Sequence, residues 1–582
     1  MIEFNPGLIM ILGGLLLPLI PRAGRRALLL ALPLAGLAYT TALAPETLVT
    51  STFFSYTLEL LRVDKLALVW GYIFHIAAFL GGLYSLHEDD TLQGSMSQIY
   101  MGSAVAAVFA GDLITLFVFW ELTAVSSVFL IWATGTERSF RAGMRYLIIQ
   151  VGSGVLLLAG AILILADTGS IAFDHIGIES LGGKIIFVAF GIKCAFPLLH
   201  NWLQDSYPES TVTGTVILSA FTTKLAVYSL ARGFSGTEIL IYIGAIMTAF
   251  PIFYAVIEND LRRVLAYSLN NQLGFMVVGV GVGTELSLNG TAAHAFSHIL
   301  YKALLFMSMG AVLYRTGTIK GSELGGLYKT MPWTTGFCIV GAASISAFPL
   351  FSGFISKSLI LTALGIEGHW FIWAVLLFAS AGVFHHSGIK IPYFAFFAHD
   401  SGRRPKEAPV NMLLAMGITA FLCIGIGVYP DPLYAILPYT VDYVPYTTVH
   451  VITQLQLLMF SALAFTFLML TGLYPPELKS TNLDTDWIYR RLLPRAMAWL
   501  RHSIAKIDRS GREILLGLVH QVMRFVYKHH GLDGTFARTH PAGTMVFWTV
   551  ALLGLFLLLY LLGELGDLVP GTHDLTVTAL PD

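Results

Sequence analysis

The chain has 582 residues, of which 56% are hydrophobic and 12% charged, and its mean hydropathy is +0.73. A soluble protein of that length has too little interior to hide so much apolar surface, so the composition indicates a polytopic membrane protein. The formal net charge of −1 does not suggest nucleic-acid binding. Cys194, Cys338 and Cys423 are scattered with no CxxC or other cluster, which indicates neither zinc nor an iron–sulfur centre.

In chain order, the first element is "GLIMILGGLLLPLIP", which lacks the basic n-region of a signal peptide and reads as a span. A span needs roughly 20 mostly apolar residues. Spans centre near residues 14, 36, 75, 103, 124, 156, 192, 220, 247, 275, 304, 343, 378, 420, 460 and 553. The fold class is therefore all-α, a polytopic bundle of about 16 transmembrane helices. The connecting loops alternate in charge. "RAGRR" (22–26), "TERSFRAGMR" (136–145), "NDLRR" (259–263), "YRTGTIKGSELGGLYK" (314–329) and "SGRRPKE" (401–407) are basic. The alternate loops, such as 166–183 and 429–448, are nearly free of Lys and Arg. Lys and Arg stay in the cytoplasm, so both termini are expected on the outer face.

Ionisable residues interrupt several spans. Asp112 opens "DLITLFVFWELTAVSSVFLIW" at a membrane surface, and Glu121 lies nine residues on. At 1.5 Å per residue that is roughly 13.5 Å, about half of a ~30 Å core. The same counting from Lys184 places Lys193 near the midplane, and counting back from Arg232 does so for Lys224. His294, His298 and Lys302 follow at i, i+4 and i+8 on one helix face. His294 reads as structural or close to the interface. Lys357 lies in the apolar run "FSGFISKSLIL". One buried charge on its own can be a helix-orienting ion pair. A row of them, at about 2.5–3.5 kcal/mol each on insertion scales, is a costly way to pack helices and suits proton movement. Lysine fits that task because burial brings it to where it exchanges protons.

Two spans contain the same tetrapeptide. "AFPL" occurs at 195–198 and 347–350, each time beside a buried lysine, so Pro197 and Pro349 mark broken helices. Paired interruptions point to an inverted-repeat transporter. Near the C-terminal end, residues 477–540 mix Trp487, Leu492 and Trp499 with Arg490, Arg491, Arg495 and Arg501. This reads as an amphipathic helix on the cytoplasmic surface, serving as an interfacial linker or as a docking surface for another subunit.

"FVFWELTAVSSVFLI", "GIKCAFPLLHNWLQDSYPEST", "DLRRVLAYSLNNQLGFM", "HAFSHILYKALLF" and "FSGFISKSLIL" resemble the antiporter-like subunits of respiratory complex I and of Mrp-type cation/proton antiporters. The resemblance covers roughly residues 60–430 in order, and 385–430 is most similar to the D-type member of the Mrp complexes. It implies two inverted five-helix repeats, each with a broken helix. The implied organisation is 1–90, N-terminal helices; 91–235 and 236–400, the two repeats; 401–475, C-terminal helices; 476–540, the basic segment; and 541–582, a final helix and tail. Carried over by motif, Glu121 is the glutamate of the fifth span and Lys193 the broken-helix lysine that pairs with it. Lys224 connects, Lys302 and His298 form the central relay, and Lys357 is the terminal site. The 477–540 segment is similar to a reduced lateral helix of the longest complex I homologue.

The resemblance implies a proton-translocating subunit of a multisubunit Na⁺ or other monovalent-cation/proton antiporter, a secondary transporter and not an enzyme. It would sit in the bacterial cytoplasmic (inner) membrane, in lipid, with other subunits of a hetero-oligomer. No cofactor or metal is expected. The alternative is a proton-pumping subunit of a complex I-like oxidoreductase or membrane-bound hydrogenase, whose redox chemistry would belong to partners. A carbon-uptake or purely structural scaffold subunit that kept the fold is a further alternative, and the intact Glu/Lys row speaks against it.

Overall fold

Helices carry most of the chain in the computed structural model, which describes residues 3–54, 56–478, 482, 484–539 and 541–567. Each span centre expected from the sequence falls inside a helix, and among the described residues ten helical stretches are long and apolar enough to cross a membrane. The protein is thus a mostly helical polytopic membrane protein. Residues 1–2 and 568–582, which include most of the expected tail, lie outside the described residues.

Local chemistry sets where the helices begin. Asp64, Asp90, Asp112, Ser180, Thr211 and Asp260 each accept backbone N–H bonds at a helix N-terminus. Such caps satisfy donors that a helix leaves free, which matters most where no water can do so. The helices Glu137–Thr168 and Glu285–Thr316 end on Gly169 and Gly317, at φ of 72° and 73°. Only glycine takes that left-handed conformation freely.

The chain divides into two units, Met1–Thr485 and Asp486–Asp582. In the first, Val212–Gly233 and Glu285–Thr316 are buried along 100% and 94% of their most apolar stretches, against 11% for Thr448–Leu470. The first two are central and the last is peripheral. They are also the helices that carry Lys224 and the His298–Lys302 pair.

A series of landmarks recurs in this unit at one constant offset. Asp112 caps Leu113–Trp132 and bridges to Ala172; Asp260 caps Leu261–Val282 and bridges to Lys320. Gly135, Thr136 and Gly169 are matched by Gly283, Thr284 and Gly317, with the same backbone or capping role. A few residues out of that register, the helices Leu181–Cys194 and Pro332–Ile345 each stop at an "AFPL".

One expectation is corrected. The fold is not wholly α: Leu48–Phe53 and Tyr56–Arg62 pair as an antiparallel β-hairpin. The first strand carries the β-branched Val49, Thr50 and Thr52 and the second Tyr56 and Thr57, residue types that favour strands. In the second unit, Leu493–His530 is a 38-residue helix with no buried residue, and Ala542–Asp567 is an apolar helix.

Candidate functional site

The first break begins where Leu181–Cys194 ends. Ala195 has φ of 62° and Leu198 of 70°, so neither is helical. The Phe196 N–H bonds to Gly191 O at 2.9 Å and the Ala195 N–H to Ile192 O at 3.1 Å. This is the six-to-one and five-to-two pattern that closes a helix, with alanine where glycine is usual. Pro197 therefore lies after the helix end, not inside the helix. Trp202 Nε1 donates to the same Ile192 carbonyl at 2.9 Å.

Lys193 occupies the last turn before this break and is completely buried. A cation there is favoured by the helix dipole. Its Nζ donates to Trp120 O at 2.6 Å and to Thr123 Oγ1 at 2.8 Å, and lies 4.2 Å from the centre of the Trp120 ring. Glu121 is adjacent in sequence to Trp120, yet no ion pair joins it to Lys193 within 4.0 Å. Its carboxylate points instead at Gly154 on Glu137–Thr168, where any β-carbon would overlap Oε1. That oxygen is buried without a hydrogen bond. The expected Glu121–Lys193 pair is thus within electrostatic reach but not in contact. The lysine prefers a fixed carbonyl and hydroxyl, and the glycine lets the carboxylate swing aside.

Lys224 lies where Val212–Ala220 gives way to Thr222–Gly233. Its Nζ donates to Ser219 O at 2.6 Å and to Thr223 Oγ1 at 3.2 Å. Tyr100 satisfies the other side of the interruption by accepting the Thr222 N–H at 3.0 Å. Lys224 is an electrostatic neighbour of Cys194, next to Lys193, and also of His298 and Lys302.

The central helix does not form a bonded ladder. His294 Nδ1 is 3.0 Å from Ser356 Oγ, and its Nε2 is 3.4 Å from Tyr301 OH. Tyr301 donates to Gln272 Oε1 at 3.1 Å. His298 and Lys302 are fully buried, and neither ring nitrogen of His298 nor Lys302 Nζ has a hydrogen-bond partner in the protein. Buried polar atoms are nearly always paired, so these three stand out as the least satisfied groups of the row.

The second break has the backbone of the first. Ala347 has φ of 56° and Leu350 of 75°; Phe348 N–H bonds to Ala343 O at 3.0 Å and Ala347 N–H to Ser344 O at 3.1 Å. Pro349 again follows the helix end. Lys357 lies beyond the break, on Ser352–Ile366, and its Nζ reaches back to Ile345 O at 2.8 Å. Gln454 Nε2 donates to Ser346 O at 3.2 Å.

Three lysines therefore hold backbone carbonyls, two of them at helix interruptions. Sequence counting located the lysines but not Gly154, Trp202, Tyr100 or Gln454, which shape their surroundings from distant helices. It also passed over His386 and Lys390, although a charge within "GIKIPYFAFF" was visible. Among the described residues, no group of three or more His, Cys, Asp or Glu side chains is placed to hold a metal ion.

The profile of the family described as NADH:quinone oxidoreductase/Mrp antiporter, transmembrane, matches residues 110–383, which hold Glu121 through Lys357. The chain is similar to the D component of the Na(+)/H(+) antiporter of Alkalihalophilus pseudofirmus, with 30% identity over 353 residues, 56% of this chain and 71% of the relative. It is similar to the N component of the NADH-quinone oxidoreductase of Desulforudis audaxviator, with 29% identity across 69% of this chain and 89% of the relative. A solved chain of the Mrp complex from Dietzia sp. DQ12-45-1b shares the fold, with a TM-score of 0.66 and 19% identity over 74% of this chain and 94% of that one. The protein belongs to the family shared by the membrane subunits of NADH:quinone oxidoreductases and Mrp antiporters.

Proposed function

We propose that this chain is the proton-translocating subunit of a multisubunit Na⁺ (or other monovalent-cation)/proton antiporter. Protons move along the row Glu121, Lys193, Lys224, His298–Lys302, Lys357. The observation that carries this reading is the enclosed row itself: a half-buried carboxylate with a free oxygen at one end, carbonyl-anchored lysines along it, and unpaired His298 and Lys302 at its centre. When Glu121 swings toward Lys193, the attraction that holds the lysine's proton rises; when it lies against Gly154, that attraction falls. A proton released from Lys193 then passes by bridging water through Lys224 and the central pair to Lys357.

The recurrence of Asp112, Gly135 and Gly169 as Asp260, Gly283 and Gly317 supports two five-helix repeats. An odd number of helices per repeat inverts the second copy in the membrane. In this reading about sixteen spans cross a bacterial cytoplasmic membrane, with the basic loops inside and both termini on the outer face. A cysteine placed in "SGRRPKE" is then labelled only from the cytoplasmic side, and one near Asp431 only from outside; the reverse pattern inverts the topology. The chain is not itself an enzyme and works beside other subunits in lipid.

The likeness to a quinone oxidoreductase component favours a second reading, a redox-driven proton pump. Assembled complex in inverted vesicles tests the first: ΔpH-driven Na⁺ transport is lost in Glu121→Ala and in Lys193→Ala with assembly intact. Wild-type Na⁺ transport in both variants refutes the relay. Redox-coupled proton uptake without Na⁺ exchange selects the second reading.

A further inference from the structure

The row has a neighbour that the relay does not use. The span Trp370–Phe397 is not regular α-helix throughout: Phe384–Lys390 winds as a π-helix. Such segments are rare and recur at functional sites. It rests on the second break, since a β-carbon at Gly388 would collide with Ser346 Oγ, and Ser346 follows the Ile345 carbonyl held by Lys357. His386 and Lys390, on this segment, are completely buried. His386 Nδ1 is 2.9 Å from Ser387 Oγ, which donates to Ser268 Oγ at 2.7 Å. Its Nε2 has no hydrogen-bond partner. Lys302 and Lys357 are both its electrostatic neighbours, so it adjoins the row on one side.

On the other side the segment reaches the end of Ile239–Ile257 and the loop that follows Thr448–Leu470, where both carboxylate oxygens of Glu477 are buried. Lys390 Nζ donates to Val256 O at 2.6 Å, Glu258 O at 2.7 Å and Ala255 O at 3.2 Å, the end of Ile239–Ile257. It also forms an ion pair with Glu477 Oε1 at 2.9 Å. Glu258 lies beside "NDLRR" and keeps its Oε2 unpartnered. His385, Tyr474 and Arg263 complete the charged and titratable surroundings. Glu477 is set in the loop after the peripheral helix Thr448–Leu470, and burial pushes its carboxyl up from the ordinary range against the pull of Lys390. It therefore holds a proton to higher pH than a solvated carboxylate does.

Three carbonyls would anchor a structural lysine well enough without a carboxylate. A titratable acid, an amine and an imidazole with a free nitrogen, in that order from the Glu477 loop inward, form instead a graded path for a proton that water entering the loop would complete. We infer that Glu477, Lys390 and His386 form a proton-access branch, which connects the buried lysines of the second half to the membrane face bearing "NDLRR". This rests on the relay reading of the row. In the inward direction, the Glu477 carboxylic acid protonates the neutral Lys390 amine and becomes a carboxylate. The Lys390 ammonium then passes a proton, through water, to His386 Nε2. The imidazolium passes its proton, through water, to the neutral amine of Lys302 or Lys357. The reverse sequence discharges a proton to the same face.

The test compares Lys390→Arg, Glu477→Gln and His386→Gln in the assembled native complex in inverted vesicles, with a pH-sensitive dye and Na⁺ as the exchanged ion. Arginine keeps the ion pair and carbonyl contacts but does not release its proton, since its pKa exceeds 12. The branch requires Lys390→Arg to slow proton movement about tenfold or more while assembly is unchanged, as expected when a proton-transfer group is lost. It also requires Glu477→Gln to remove the part of the pH dependence that arises on the "NDLRR" face, and Glu477→Asp to restore it. A structural tie predicts full activity for Lys390→Arg and an unmoved pH profile for Glu477→Gln. That outcome, together with inactive Glu121→Ala and Lys193→Ala, overturns the branch and leaves the relay standing. Wild-type activity in the latter two variants instead overturns the relay. If Lys390→Arg does not assemble, Glu477→Gln and His386→Gln decide: unaltered transport in both overturns the branch.

Discussion

The two breaks share a backbone and differ in where the lysine stands. Ala195 and Ala347 end their helices in the same left-handed conformation, and Leu198 and Leu350 repeat it. In the first break Lys193 precedes the interruption and reaches sideways to Trp120 O on another helix. In the second Lys357 follows the interruption and reaches back to Ile345 O across its own break. Lys193 is thereby tied to the helix that carries Glu121, so a movement of that carboxylate acts on it. Lys357 is tied to its own broken helix and has no such carboxylate. The recurrence sharpens the contrast. At the constant offset, Glu121 corresponds to Leu269, and Gly154, which receives its carboxylate, corresponds to Lys302. One half holds a switchable anion against a glycine; the other replaces both with an apolar side chain and a cation. One scaffold thus serves as a trigger in one copy and a receiver in the other.

The largest effect expected from this asymmetry is at the trigger. Lys193→Ala and Glu121→Ala should each lower transport by about 100-fold or more, the scale of losing an essential proton-transfer group. Leu269→Ala, at the matching place in the receiver, should retain most transport. Na⁺-dependent proton movement per assembled complex measures all three, and equal losses would erase the distinction between the halves.

Gly154 comes next. Gly154→Ala puts a methyl group where the Glu121 carboxylate lies. Overpacking of this kind costs about 1–3 kcal/mol, and here it should be relieved by displacing the carboxylate toward Lys193. Transport is expected to fall about tenfold, since each tenfold corresponds to about 1.4 kcal/mol, with assembly kept. Unchanged transport and unchanged melting of the complex would mean that Glu121 does not rest there.

Lys357 separates charge from proton exchange. Lys357→Arg keeps the charge without proton release, and Lys357→Glu reverses the charge but titrates. A receiving site should tolerate Arg poorly, with about tenfold loss or more, while Glu retains part of the activity. Full activity for Arg together with none for Glu would reduce Lys357 to a structural cap.

The smallest effects test the shared backbone. Glycine relieves a left-handed alanine, so Ala195→Gly and Ala347→Gly should each stabilise the complex by up to about 1 kcal/mol. Thermal unfolding of the assembled complex reads both. Because the two turns have the same geometry, the two shifts should agree; a clear difference would show that the breaks are not equivalent.

Hydropathy and residue counting made the helical class, the span positions and the buried Glu and Lys residues legible, because a charge within an apolar run is visible without any contact. The doubled "AFPL" marked both breaks, although proline suggested an interruption inside a helix and the chain ends each helix earlier, at an alanine. The β-hairpin was missed because its short strands lie between two strong helical signals. Periodicity put His294, His298 and Lys302 on one face but could not tell that His294 is bonded to Ser356 while the other two are unpaired. Glu477 carried no signal at all, since its partner Lys390 lies on a helix distant in sequence from the loop that holds it.

By itself, then, the sequence determined which residues carry charge into the membrane and roughly how deep. That follows from local properties, the rise of about 1.5 Å per helical residue and the thickness of the bilayer. Only the tertiary structure decided what each charge touches: Lys193 bonded to Trp120 O and not to Glu121, Glu121 lodged against Gly154, Lys357 closing its own break. Partners of a buried ion are chosen by whichever carbonyl, glycine or hydroxyl another helix presents within hydrogen-bond reach. That choice depends on how distant segments pack, and no spacing along one helix encodes it.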